Sequence, residues 1–109
     1  MSIMSSRNLT MMTDLYQLTM MYGYFKKGMA GNKAVFDLFF RDTKANSSYA
    51  VMAGTESIVE YINDLHFSEN DVAYLRSLNL FDESFLSVLR GLHFTGEIYA
   101  MEEGTLVYP

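Results

Sequence analysis

The chain has 109 residues, 50% of them hydrophobic and 15% aromatic, which supplies one modest core and is unlike the composition of disordered proteins. It has no cysteine, which excludes a disulfide framework and a thiolate metal site. The first residues lack the apolar run of a signal peptide, and the longest apolar run, residues 49–53, is too short to span a bilayer. We therefore expect a single domain, residues 1–109, in a soluble cytoplasmic protein without membrane contact.

The net charge of −5 is unevenly distributed along the sequence. Residues 1–44 carry six basic groups against three acidic ones, a net charge of +3, and the remaining 65 residues carry −8. Because an acidic surface repels a phosphate backbone, we expect no binding to nucleic acid. An anionic ligand is expected to approach the N-terminal third of the chain.

The first predicted element is a helix over residues 15–27. Asp14 and Gln17 have the spacing of a capping box, the last turn is cationic, and Gly28 follows where helices commonly end on a left-handed glycine. Apolar side chains surround nearly the whole helix. They are Leu15, Tyr16, Leu18, Met20, Met21, Tyr22, Tyr24 and Phe25. A monomer of this size cannot bury them all, so we expect other polypeptide to cover a second face.

Two strands are predicted after this helix. In residues 34–41 every second side chain is apolar, and these side chains would lie on the same face of a strand. Residues 49–53 predict a shorter, buried strand. The polar residues 42–48 between them predict a loop that can approach a ligand.

Three further helices are predicted in the middle of the chain. The first opens at residues 54–55 and carries an apolar stripe typical of core packing. Ser68 stands three residues before Asp71 and predicts the start of the second. Asp82 predicts the start of the third, which Gly91 ends.

The sequence closes on two predicted strands, residues 97–101 and 105–108, joined by a turn over residues 102–104. Within this turn we interpret Glu102 and Glu103 as solvated side chains and not as an acid/base pair. A natural domain seldom ends on an unpaired apolar strand. We therefore expect the chain to be an incomplete part of a longer polypeptide.

Four blocks of this sequence stand out together: TDLYQLTM at residues 13–20, FDLFFR at 36–41, LRSLNLF at 75–81 and EGT at 103–105. In order and spacing they resemble the N-terminal blocks of nicotinate phosphoribosyltransferases, and the resemblance covers all but the first few residues. It implies an α+β or α/β fold, the N-terminal α/β domain of a type II phosphoribosyltransferase. The α/β barrel against which that domain packs in the family is missing from this chain.

The resemblance also implies a reaction. These enzymes join nicotinate to phosphoribosyl pyrophosphate and release nicotinate mononucleotide and pyrophosphate in NAD biosynthesis, with coupled ATP hydrolysis and with Mg²⁺ on the pyrophosphate. Their active site lies where the barrel of one subunit meets the N-terminal domain of its partner, which implies a homodimer with shared sites. Mg²⁺ and ATP would be bound mainly by the missing part. This segment is expected to hold no catalytic residue and no metal, and to be inactive alone.

Three residues match family positions that contact substrate. Tyr16 matches the tyrosine that stacks on the pyridine ring across the dimer interface, although its spacing alone fits one more core aromatic. Asp14, in the same block, is either a substrate contact or only a helix cap. Arg41 matches an arginine near phosphate groups, for which a guanidinium is suited, or is a solvated charge at a strand end. Lys44 in the following loop could assist.

The two histidines are not predicted to act chemically. The family phosphorylates a histidine of its barrel, and neither His66 nor His93 stands in that motif. No partners at ligand spacing accompany them, so a metal site is not expected. We interpret both as ordinary residues at the edge of the core.

Two other functions remain open from the sequence. An enzyme like nicotinamide phosphoribosyltransferase would share the Thr-Asp and Tyr positions of the first block but differ over residues 17–20. The preference for ring acid or ring amide is set mostly outside this segment. A free-standing α+β interaction module would instead use the aromatic helix as a docking surface. A reading frame that continues past Pro109 favours the enzymes, and a stop codon there favours the module.

Overall fold

The computed structural model describes residues 8–41 and 48–109. These residues form a small α+β domain with four helices and a two-stranded antiparallel sheet. In chain order the elements are α1 Leu15–Lys26, β1 Ala50–Val51, α2 Thr55–Asn63, α3 Glu69–Ser77, α4 Glu83–Arg90 and β2 Leu106–Val107. No helix in the described part is long and apolar enough to cross a membrane.

The hydrophobic core lies where α1 packs against α3 and α4. Its buried side chains are Leu18, Phe67, Val72, Leu75, Phe81, Phe85, Leu86 and Leu89. Phe85 is 2% exposed, and its ring centroid lies 5.0 Å from that of Tyr22, 5.7 Å from that of Phe25 and 5.4 Å from that of Phe81. Aromatic contacts at this spacing add to the free energy gained by burial. The cluster therefore fixes the orientation of α1 on the rest of the domain.

Helices α3 and α4 begin at side-chain caps, which confirms both predictions. The Ser68 hydroxyl accepts a hydrogen bond from the Asp71 backbone N–H (3.1 Å), and the Asp71 carboxylate accepts one from the Ser68 N–H (2.9 Å). The Asp82 carboxylate accepts a hydrogen bond from the Phe85 N–H (2.9 Å). These bonds satisfy amide donors that a helix start leaves without a partner.

The C-terminus of α1 is also as predicted. Gly28 adopts a left-handed conformation with φ +70°. Its N–H donates to the Phe25 carbonyl (3.1 Å), and the Met29 N–H donates to the Tyr24 carbonyl (2.8 Å), the two bonds of a Schellman motif. The left-handed conformation is open to glycine at little steric cost, which explains why the helix ends here.

Surface ion pairs reinforce the packing of the helices. They are Lys26 with Asp82, Arg76 with Glu83 at 2.6 Å and Arg90 with Glu69 at 2.8 Å. The first joins the end of α1 to the start of α4, and the other two join α3 to α4. The Lys26 ammonium lowers the pKa of the Asp82 carboxyl, and the Arg76 guanidinium lowers that of Glu83. Exposed pairs of this kind contribute little individually.

The strand predicted over residues 34–41 is not formed. The segment runs without a strand partner among the described residues, and Val35, Phe36, Leu38 and Phe39 are 74–95% exposed. The alternating pattern correctly identifies side chains that need to be buried. A strand also requires a neighbour to bond its backbone, and the pattern does not specify one.

The remaining strand predictions hold only in part. Residues 97–101 form no strand. The strands expected over 49–53 and 105–108 shorten to β1 and β2, with Ala50 opposite Val107 and Val51 opposite Leu106. Val51 is 53% exposed, so β1 is not the buried strand that its apolar sequence predicts.

Helix α2 confirms its predicted position but not its predicted burial. None of its side chains is buried, and Ile58 and Val59 are 39% and 46% exposed. Its apolar stripe therefore lies outside the core described above. The Cα radius of gyration is 17.0 Å, against about 13 Å for a compact chain of this length. The domain is open because α2, the sheet and the extended segment contribute few buried side chains.

Candidate functional site

Helix α1 presents a second apolar face to solvent. Tyr16 in its first turn is 57% exposed, and Met20 and Tyr24, one and two turns further on, are 45% and 46% exposed. Residues four apart share a helix face, and Leu18, 4% exposed, points into the core from the other side. We call Tyr16, Met20 and Tyr24 the aromatic stripe. The prediction that this helix has more apolar surface than the domain can bury is confirmed.

Asp14 lies next to this stripe and does not cap the helix. It occupies the N-cap position with extended backbone, φ −80° and ψ 148°, but its side chain makes no capping hydrogen bond. The Gln17 N–H donates to the Asp14 backbone carbonyl instead (3.0 Å). The predicted capping box with Gln17 is therefore wrong, because the backbone already satisfies that donor. The Asp14 carboxylate is left at the surface near Tyr16.

An open groove of about 400 Å³ lies beside the start of α1. It is lined by Met11, Thr13, Leu15, Leu18, Asp71, Tyr74, Leu75 and Leu78. The Asp71 carboxylate already accepts the Ser68 N–H, so the lining offers no cation and no unused carboxylate. Neither Asp14 nor Tyr16 belongs to the lining. The groove is therefore adjacent to the aromatic stripe and separate from it.

Arg41 is exposed at the end of the extended segment. No hydrogen bond or ion pair between described residues connects it to Asp14 or Tyr16. Two of the three predicted site residues therefore share the start of α1, where they stand two positions apart in the sequence. Lys44 and most of the predicted loop over residues 42–48 lie outside the described residues.

Glu103 has a structural role that the sequence did not indicate. Its carboxylate accepts hydrogen bonds from the backbone N–H groups of Gly54 (2.8 Å) and Thr55 (3.0 Å) at the start of α2. The turn at 102–104 is as predicted, with Gly104 left-handed at φ +86°. Glu103 is exposed in this turn, as expected, and in addition it caps a helix that begins almost fifty positions earlier. No local pattern connects the two, so only the fold reveals this contact.

The Glu103 contact predicts an acid-sensitive helix cap. The hydrogen bonds from Gly54 and Thr55 lower the pKa of the Glu103 carboxyl from its ordinary value of 4.5. A group with a lowered pKa stabilises the fold above its ordinary value, and this contribution is lost as the pH falls through the lowered pKa. Glu103→Gln should remove this dependence and speed deuterium exchange at the amides of Gly54 and Thr55. Glu102→Gln, one residue away, is the matched control, and equal exchange in both variants would contradict the cap.

The two histidines are exposed and part of the surface. His66 Nδ1 lies 2.6 Å from the Asp64 carbonyl oxygen, and its Nε2 lies 3.3 Å from the Asn8 side-chain nitrogen. His93 Nδ1 lies 3.3 Å from the Gly91 carbonyl oxygen. Across residues 8–41 and 48–109, no group of three or more His, Asp or Glu side chains could hold a metal ion.

The fold and the exposed residues define a class of protein: a small, open α+β domain whose first helix exposes an aromatic face. Comparison with known protein families shows which family this domain belongs to. The sequence profile of the nicotinate phosphoribosyltransferase (NAPRTase) N-terminal domain matches residues 11–109. The chain belongs to this family.

Individual relatives agree with the family assignment. The chain is 42% identical over 97 residues to nicotinate phosphoribosyltransferase pncB2 of Mycobacterium tuberculosis, an alignment that covers 89% of this chain and 21% of the relative. It is 43% identical over 101 residues to nicotinate phosphoribosyltransferase of Bacillus subtilis (93% and 21%). It is 36% identical over 101 residues to nicotinate phosphoribosyltransferase 1 of Arabidopsis thaliana (91% and 18%). The chain thus spans about a fifth of the length of these relatives.

Proposed function

We propose that this chain is the N-terminal part of a cytoplasmic nicotinate phosphoribosyltransferase of NAD salvage. The enzyme would join nicotinate to phosphoribosyl pyrophosphate, releasing nicotinate mononucleotide and pyrophosphate, with coupled ATP hydrolysis. The relatives with which the chain aligns over most of its length carry this name. The observation that carries the proposal is Tyr16, exposed in the first turn of α1 within the block that matches the family.

The proposed role of Tyr16 is to hold the pyridine ring. The pyridine nitrogen attacks the ribose carbon while pyrophosphate leaves, so a positive charge develops on the sugar and water has to be excluded. A tyrosine ring in an offset stack on the electron-poor pyridine orients its nitrogen and covers one face of it. The exposed ring of Tyr16 is free of core contacts that would prevent this stack.

Asp14 is proposed to assist at the same helix end. Its carboxylate makes no capping bond, so helix capping no longer accounts for the residue. A carboxylate beside the carboxylate of nicotinate is repulsive unless a donor or cation lies between them. We infer that Asp14 contacts the substrate through such a group, supplied from outside this segment.

The aromatic stripe supports an active site shared between two subunits. Tyr16, Met20 and Tyr24 form an apolar surface that this domain does not cover, as expected for a helix at an interface. We propose a homodimer in which Tyr16 reaches nicotinate bound by the barrel of the partner.

Mg²⁺ and ATP are proposed to bind outside this segment. The described residues offer no cluster of metal-ligating side chains. Mg²⁺ would neutralise the charge of the pyrophosphate, and we assign no residue of this chain to it. The contribution of this segment is to position the ring of the substrate.

Arg41 is proposed to contact phosphate groups of the donor or of ATP. In the natural-length enzyme, Arg41→Ala should weaken the binding of phosphoribosyl pyrophosphate or ATP by about 1.5–3 kcal/mol, roughly ten- to a hundredfold in Kd. This is the contribution expected of one charge-assisted hydrogen bond. The Kd of nicotinate should hardly change. Isothermal titration with each ligand measures this, with Lys33→Ala in the same segment as the control. Unchanged constants for both phosphate ligands would leave Arg41 as a solvated charge.

The 109-residue chain alone is expected to be inactive and prone to associate. It lacks the barrel that would hold the phosphoribosyl donor, and it exposes the aromatic stripe of α1. Analytical ultracentrifugation and a pyrophosphate-release assay measure the two properties. A monodisperse monomer at roughly tens of micromolar would contradict the argument from exposed surface. Any turnover would contradict the first claim.

A nicotinamide-specific enzyme is the second candidate. The names of the aligned relatives favour nicotinate, and the resemblance of the block at residues 13–20 points the same way. The decisive experiment is pyrophosphate release by the natural-length protein with nicotinate and with nicotinamide as competing substrates. Release that depends on nicotinate supports the proposal. Release with nicotinamide alone, or none with either, would overturn it.

A further inference from the structure

Residues 35–39 form the most exposed apolar part of the described chain. Val35, Phe36, Leu38 and Phe39 are 93%, 89%, 95% and 74% exposed. Four neighbouring large apolar side chains in water are costly, and the spacing of Phe36, Leu38 and Phe40 is that of one face of a strand. The segment therefore has the sequence of a strand and lacks only a neighbour.

Strand β1 offers a free edge to such a neighbour. Among residues 8–41 and 48–109 its only strand partner is β2. The Met52 N–H donates to the Thr105 carbonyl (2.8 Å), and the Gly104 N–H donates to the Met52 carbonyl (2.8 Å), so Met52 faces β2. Backbone groups of a strand point alternately to its two sides. The N–H and C=O of Val51 therefore point away from β2, toward the free edge.

We propose that residues 34–41 dock on this free edge as an antiparallel third strand, giving the order 34–41, β1, β2. Six residues, 42–47, separate Arg41 from Ser48. A connection this short requires an antiparallel return, since a parallel one needs a crossover of about a dozen residues or more. The occupant of the edge is thus the segment that directly precedes it in the chain. This inference concerns the fold and is independent of the proposed reaction.

The two faces of the sheet specify the orientation of the docked strand. Ala50, Met52, Thr105 and Val107 share a partly buried face, and Val51 and Leu106 share an exposed one. Phe36, Leu38 and Phe40 are all apolar and match the partly buried face. Asp37 and Arg41 then lie with Val35 and Phe39 on the face of Val51 and Leu106, where water solvates the two charges. Leu38 is therefore expected opposite Ala50 or, with a slip of two residues, opposite Met52.

Cysteine pairs test the docking directly, because the chain has no cysteine of its own. Ala50 bonds to β2, so it faces a third strand as a non-hydrogen-bonded pair, the closer type. Leu38→Cys with Ala50→Cys, or Leu38→Cys with Met52→Cys, should form an intramolecular disulfide under mild oxidation at low protein concentration. Phe39→Cys with Ala50→Cys is the control, because Phe39 lies on the opposite face. We expect at least about tenfold more intramolecular crosslink in one of the first two pairs, given the specific geometry of a disulfide.

A measurement on the unsubstituted chain accompanies the crosslinking. The Val51 amide should be protected from deuterium exchange when the third strand is docked and unprotected when the edge is free. Crosslinks only between chains would show that a second copy occupies the edge and would overturn the proposal. Equal crosslinking of the control pair, or a Val51 amide without protection, would overturn it as well.

Discussion

Replacing Phe85 by alanine is expected to lower the free energy of unfolding of the helical core by about 3–5 kcal/mol, the usual cost of deleting a buried phenylalanine. The ring is 2% exposed and contacts the rings of Tyr22, Phe25 and Phe81. Its loss leaves a cavity between α1 and α4 that neighbouring aromatic rings cannot fill without leaving their own positions. A loss of this size is a large fraction of the roughly 5–15 kcal/mol that stabilises a typical domain.

Urea unfolding followed by far-UV circular dichroism measures this change, since the helices dominate that signal. Val88→Ala is the matched control, because Val88 lies on the same helix and is 41% exposed. Its effect should stay within about 0.5 kcal/mol, as for surface positions in general. If Phe85→Ala and Val88→Ala unfold at the same urea concentration, the cluster around Phe85 does not hold α1 in place.

The helices could be predicted because their signals are local. Ser68 and Asp71 are three residues apart and bond each other's backbone, and Asp82 bonds the Phe85 N–H three residues later. Gly28 ends α1 through contacts within one turn. Both partners of each of these interactions lie within a few residues of each other, so a short stretch of sequence is enough to predict them. Asp14 shows their limit, since the right residue type in the right position makes no cap.

The strands were predicted poorly because a strand forms only when it pairs with another segment, which can be distant in the sequence. Residues 34–41 have the alternation of a strand, but their partner is not specified by that alternation. The apolar stripe of α2 has the same property, since it identifies a surface to be buried and not the surface that buries it. In this open domain the described residues do not supply enough neighbours for every apolar face.

The candidate site could be predicted from the sequence because of a family motif, and not because of the helical spacing of its residues. Helical spacing alone makes Tyr16 one of several apolar residues around α1, and the structure distinguishes it by its 57% exposure. Glu103 belongs to a family block as well. Its contact with Gly54 and Thr55 could not be predicted, because these residues lie far from Glu103 in the sequence and no motif connects them. Arg41 remains a prediction that rests on the resemblance.

Tyr16 is expected to act on the nicotinate held by the partner subunit of the natural-length enzyme. Its position in the first turn of α1 lets the side chain lean past the helix start, where it can project into a neighbouring pocket. Losing a ring stack costs about 0.5–1.5 kcal/mol beyond the lost burial. Tyr16→Ala should therefore raise the KM for nicotinate markedly, while Tyr16→Phe keeps the ring and should nearly preserve it.

A control separates this role from a general effect on the protein. Tyr99 is 91% exposed and lies outside α1. Tyr99→Ala should leave the KM for nicotinate unchanged. If Tyr16→Phe is as impaired as Tyr16→Ala, the hydroxyl is essential and the stacking role is wrong. If neither variant changes the KM, Tyr16 does not contact nicotinate.

Mixing two impaired variants, assayed at a nicotinate concentration well below the KM of Tyr16→Ala, tests whether the contact is made across the dimer. Tyr16→Ala would be combined with a variant inactivated in the proposed barrel domain, under conditions in which subunits exchange. One site of a mixed dimer then unites an intact barrel with an intact Tyr16 from the other subunit, so activity should reappear. Exchange is verified independently by mass spectrometry of differently labelled subunits. If subunits exchange and activity stays at the level of the separate variants, Tyr16 acts within its own subunit, because only a contact in trans can be restored by mixing.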